Sequence, residues 1–122
     1  MHKTKGFTLI ELVIVIVILG ILSAIVIPKY IDLTTSATNA AKAGMSGGVK
    51  SSLAIAIAEL KRYPTVTELG TYVTGQNVTV TTTGIQVVIN GNNATVPTFT
   101  DSACANATAA ANNTVMCVGS IP

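Results

Sequence analysis

Between Phe7 and Ile27 the chain reads FTLIELVIVIVILGILSAIVI, 21 residues with one ionisable group, Glu11. A helix of about 20 apolar residues crosses the roughly 30 Å hydrocarbon core of a bilayer. The run is therefore long enough to span. His2, Lys3 and Lys5 precede it, which predicts a cytoplasmic start and an external remainder. Beyond the run, Lys29 is a single opposing charge, offset by Asp32. A removable secretory signal needs a shorter apolar region followed by a small-x-small site. The nearest candidate, Leu22-Ser23-Ala24, is followed by more apolar residues, which argues against removal of the run.

Hydrophobic residues make up 49% of the 122 and charged residues 10%, but the two are not evenly mixed. After the apolar run the chain is rich in Ala, Thr, Gly and Asn, one domain's worth at most. The net charge of +2 comes from Lys3 and Lys5. Beyond residue 6, five basic side chains balance five acidic ones, which excludes nucleic acid as an expected partner and suits close self-packing. Cys104 and Cys117 are separated by twelve residues. Their even number and polar surroundings favour a disulfide in an oxidising compartment, with two free thiols as the alternative. The spacing fits neither a redox CxxC pair nor a zinc site. His2 is the sole histidine, and Asp32, Glu59, Glu68 and Asp101 are scattered. No catalytic constellation, cofactor or metal is expected.

Glu11 demands an explanation. A carboxylate at the centre of a membrane span costs about 2.5–3.5 kcal/mol on insertion scales. It lies four residues after Phe7, one turn of helix away if both are helical. A chain beginning at Phe7 would carry an ammonium that could pair with Glu11, within one subunit or between neighbours. The alternative is a carboxylate that merely reaches the cytoplasmic interface.

The string Lys5-Gly6-Phe7-Thr8-Leu9-Ile10-Glu11, opening such a run, resembles the type IV pilin family and its pseudopilin relatives. The likeness continues without a gap to about Pro28 and weakly to about Tyr63. It implies cleavage between Gly6 and Phe7 by a prepilin peptidase and methylation of the new Phe7 amine. It also implies that Phe7 and Glu11 guide assembly, and that the membrane helix becomes the core of a helical homopolymer. The partners implied are an inner-membrane assembly platform and an assembly ATPase. The location implied is the inner membrane, then a filament on the cell surface. In that family the region matching Gly20 to Pro28 can unwind, consistent with the low helix propensity of Gly and Pro. A disulfide-bounded C-terminal loop, here Cys104–Cys117, is implied as well.

Past Pro28 the spacing of Leu33, Ala37, Ala40, Ala41 and Gly44, then of Val49, Leu53, Ile57 and Leu60, predicts a continuing helix. Gly44-Met45-Ser46-Gly47-Gly48 is the weak point of this one long helix, the place for a break if it has one, and Pro64 marks its end. Lys61 and Arg62 are placed to cap that end. Strands are expected over Asn77–Thr83, Ile85–Asn90, Ala94–Thr98 and Thr114–Val118, with a tight turn at Asn90-Gly91. The expected fold is thus α+β: a long N-terminal hydrophobic helix and a small head with a three- to four-stranded antiparallel sheet. Its parts are a leader over 1–6, a membrane and filament-core helix over 7–28, a periplasmic helical half over 29–63 and a β head over 64–122. The expected function is that of a filament subunit and not an enzyme. Three alternatives stand beside it: a pseudopilin of type II secretion, a group that Arg62-Tyr63-Pro64 resembles, a minor pilin acting as adhesin or DNA-uptake tip, or a membrane-anchored binding protein that does not polymerise.

Overall fold

The computed structural model describes residues 5–75 and 77–122; His2 and Lys3, part of the expected leader, lie outside them. Helix α1 runs Leu9–Leu60 and α2 runs Val66–Tyr72. Four strands follow: β1 (Thr79–Val80), β2 (Gly84–Ile89), β3 (Asn92–Phe99) and β4 (Cys117–Val118). They form one sheet in chain order, each pair antiparallel. The α+β expectation therefore holds, with four strands. The chain divides into two compact units, residues 1–36 and 37–122.

Within the second unit, α1 presents Ser46, Val49, Leu53 and Ala56 as its buried stripe. Spacings of three and four put these on one face. Of the predicted stripe, Val49 and Leu53 are buried and Ile57 packs against the core from its edge. Opposite them, Ile85, Val87 and Ile89 alternate inward along β2. Ile85 pairs with the buried Val96 and Val87 with Ala94. Val115, Val118 and the α2 residues Val66 and Leu69 close the cluster.

The turn at Asn90-Gly91 forms as expected. Both residues have positive φ, 52° and 76°, which is the type I′ geometry matched to strand twist. Gly84, at φ 156°, sits so close to the Val96 carbonyl that a Cβ there would overlap it. Two strands are shorter than expected. Thr81 turns back, its N–H and hydroxyl both donating to the Gly84 carbonyl at 2.9 and 2.8 Å, so β1 stops at Val80. Thr114 makes only an isolated bridge with Thr65, leaving β4 as two residues.

Helix α1 is continuous through Gly44–Gly48, so the one long helix expected there is unbroken at its weak point. Two features depart from the sequence reading. Arg62 does not cap α1; its guanidinium donates to the Tyr63 carbonyl and to both oxygens of Glu68. Helix α2 was not anticipated at all. It opens with a capping box, in which the Thr65 hydroxyl accepts from Glu68 N–H and the Glu68 carboxylate accepts from Thr65 N–H. Its next two exposed donors are filled from the C-terminal loop: Val66 N–H donates to the Asn113 carbonyl at 3.1 Å and Thr67 N–H to that of Ala111 at 3.0 Å. Every donor of that first turn has an acceptor, which is why seven residues suffice.

The same loop is held from within. Cys104 and Cys117 are disulfide-bonded, with their Cα atoms 5.5 Å apart. The Asp101 carboxylate accepts from Ala105 and Asn106 N–H groups. Thr98 and Thr108 share a buried hydroxyl contact of 2.7 Å. Asn113 Oδ1 accepts from both Ala109 and Ala110 N–H.

Candidate functional site

The chemistry-bearing residues of the first unit lie at its start. Gly6 and Phe7 precede the helix in irregular backbone, and Phe7 is 92% exposed. Thr8 is the residue on which α1 opens. Its hydroxyl accepts from Glu11 N–H at 3.3 Å, and the Glu11 carboxylate accepts from Thr8 N–H at 2.8 Å. The Thr8 carbonyl takes the first helical bond, from Leu12 N–H. This reciprocal pair is a second capping box. It corrects the sequence-level picture in one respect: Phe7 lies outside the helix, not one helical turn below Glu11, because Thr8 starts the helix there. The T-x-x-E spacing of Thr8 and Glu11 was visible in the sequence and is the signal that gives the cap. It recurs at Thr65 and Glu68.

The capping role changes how Glu11 is understood. One carboxylate oxygen satisfies a helix-terminal donor that the apolar interior of a membrane would otherwise leave unpaired. The negative charge also sits at the positive end of the helix dipole. Its other oxygen makes no hydrogen bond among the described residues.

Along the helix, every Leu, Ile and Val from Leu9 to Leu33 is exposed, the least so Val13 at 38%. Among the described residues this is the one helix long and apolar enough to cross a membrane, and its most apolar stretch is entirely unburied. A soluble core helix would bury one face; this stretch of α1 buries none. Ser23, the one hydroxyl of the run beyond Thr8, donates to the Leu19 carbonyl at 2.7 Å, so it presents no free donor. Gly20 stands in open space, and Pro28 lies inside the helix. Pro28 has no N–H to give the Ala24 carbonyl, so the ladder lacks one rung there. Thr34 and Thr35 donate to the Tyr30 and Ile31 carbonyls just beyond. Among the described residues, no three His, Cys, Asp or Glu side chains gather as a metal site.

A family model described as the prokaryotic N-terminal methylation motif matches residues 1–27. The chain is 51% identical over 63 residues to the type IV narrow pilus major component PilA5 of Thermus thermophilus, covering 52% of this chain and 54% of that protein. It is 43% identical over 61 residues to the type IV major alpha-pilin of Moraxella bovis, covering 50% of this chain and 38% of the other. A fimbrial protein of Pseudomonas aeruginosa is 65% identical over 34 residues, 28% of this chain and 22% of its own. The chain thus spans about half the length of these relatives or less. No solved structure matches it. Over its N-terminal half the chain is thus similar to type IV pilins, and its first 27 residues carry the N-terminal methylation motif.

Proposed function

We propose that this protein is the structural subunit of a type IV pilus, polymerising through α1 into a surface filament. The observation that carries the reading is the wholly exposed apolar stretch of α1 from Leu9 to Leu33, opened by the Thr8–Glu11 capping box. Such a surface needs a cover, first lipid and then other copies of the same helix. Lipid tails are as apolar as these side chains, so the exchange gives little hydrophobic gain, and packing and polar pairing must decide it. Extraction therefore draws on an assembly ATPase working through an inner-membrane platform.

In this reading a prepilin peptidase cuts between Gly6 and Phe7, and the Phe7 amine is methylated. The exposed, irregular backbone at Gly6 and Phe7 supports access for such cleavage. The new Phe7 ammonium then lies beside the Glu11 carboxylate, whose second oxygen is available to pair with it or with the ammonium of a neighbouring subunit. That pairing neutralises both charges and sets the axial register of each incoming subunit. Gly20 and Pro28 form the segment that softens when subunits pack. The precursor resides in the inner membrane and the product in an extracellular filament; its role is mechanical and not enzymatic.

The deciding experiment is intact mass and N-terminal sequencing of the protein from filaments sheared off the cell surface. Abundant chain beginning at N-methylated Phe7 is the expected result. An unprocessed chain, or one cut after Ala24, would overturn the reading.

A further inference from the structure

By composition Gly44-Met45-Ser46-Gly47-Gly48 is the poorest helix-forming stretch of α1 after Pro28, yet it is helical. Three glycines in five residues carry a large backbone entropy cost. Close packing does not account for them, because a Cβ added at Gly44, Gly47 or Gly48 meets open space. Ser46, Ser51 and Ser52 each donate to the carbonyl four residues back, at 2.8, 3.0 and 3.0 Å. Such back-bonds slightly weaken and bend a helix. Local forces in this stretch therefore favour opening.

The opposing contacts come from the segment that follows β4. Ile121 N–H donates to Ser46 Oγ at 3.0 Å, Lys42 Nζ to Pro122 O at 2.9 Å and Lys50 Nζ to Ser120 Oγ at 3.3 Å. Residues 42, 46 and 50 are four apart, so they form one row on the helix surface. The row brackets the glycines on both sides. Ile121 also packs against the hydrophobic core, and Ser46 is only 2% exposed. We propose that residues 44–48 are a latent hinge in α1 and that Ser120–Pro122 is the latch that holds it closed. Releasing the latch frees the helix to bend inside the second unit, at a place separate from Gly20 and Pro28. All the contacts belong to that unit, so the latch does not depend on filament assembly.

The test is amide hydrogen exchange of the full chain in detergent micelles, read by mass spectrometry over residues 43–50. On intrinsic propensity alone, Ser46→Ala should firm the helix. The latch requires the opposite sign: loss of the Ile121 acceptor speeds exchange in this window about five- to tenfold. Adding Gly47→Ala and Gly48→Ala, which meet no steric obstacle, restores protection without the latch. Lys42→Met with Lys50→Met leaves Ser46 in place and opens the same window, which decides the matter should Ser46→Ala not fold. Unchanged or slower exchange over 43–50 would overturn the proposal. So would faster exchange confined to residues 118–122.

Discussion

At the scale of single residues, two carboxylates do the same structural work in opposite settings. Glu11 and Glu68 each accept from the N–H of a threonine three residues earlier. Glu68 has a second partner, Arg62, whose guanidinium bonds and charge hold its pKa down to about 2, helped by the Thr65 N–H. Because the folded state lowers this pKa, its contribution is complete above the ordinary carboxylate range and is lost as pH falls toward 2. The unfolding midpoint of the protein in urea should be flat from pH 7 to 5 and decline below about 4.5. In Glu68→Gln, which keeps a capping acceptor but no charge, that decline should be visibly smaller. Raised salt should narrow the difference, since the pair is exposed to solvent. An equal decline in both proteins would move the acid sensitivity elsewhere, with Asp101 the next candidate, its pKa lowered by the N–H groups of Asn106 and Ala105. Glu11 permits a sharper separation. Gln serves at the third position of a capping box nearly as well as Glu. Glu11→Gln should therefore keep the helix start and processing at Gly6, yet yield few filaments, whereas Glu11→Ala loses both cap and charge. Filaments of Glu11→Gln at the parent's abundance would show that the cap, and not an ion pair, is what assembly uses.

At the scale of elements, the sequence revealed most where the controlling partner is near in the chain. The apolar run, the alternation of Ile85, Val87 and Ile89, and the Asn90-Gly91 turn all depend on neighbours within a few residues, and all were legible. A long α1 was legible too, but whether it broke at its glycines was left open, because a contact that bears on it reaches from Ser46 to Ile121, 75 residues on. Helix α2 was missed for a related reason. Seven residues give too little periodicity to read, and two of its first donors are filled by Ala111 and Asn113, far along the chain. Its local signal, the capping box of Thr65-Val66-Thr67-Glu68, follows directly on Pro64, which by itself marks the end of a helix. The loop that caps α2 is closed by the Cys104–Cys117 bond, so the two elements should fail together. Cys104→Ser with Cys117→Ser is expected to lower stability by about 3 kcal/mol on the chain-entropy model. It should also speed exchange at the Val66 and Thr67 amides, while Leu69, bonded to the Thr65 carbonyl within its own turn, changes less. Faster exchange in residues 104–117 alone would uncouple loop from helix.

At the scale of the whole molecule, the two units make opposite demands on their surroundings. The first exposes every large apolar side chain it has from Phe7 to Leu33. The second gathers its hydrophobic core from residues between Val49 and Val118, with Ile121 at its edge. No member of that core precedes Val49. Among the α1 positions before Val49, Lys42 and Ser46 receive the segment after β4. Deletion of residues 1–28 should therefore remove the need for detergent without removing any core contact. The remaining 29–122 should be monomeric by sedimentation and unfold at the same urea concentration as the full chain in micelles. What is left exposed on α1 is Tyr30, Ile31 and Leu33 at the new start, then Met45 and Ile55 singly, far less than the deleted run. Aggregation of the truncated protein would show that the head relies on the apolar helix for its own integrity. Polymerisation would then have to carry a folding cost as well as an assembly one, and a subunit drawn from the membrane would not be ready-made.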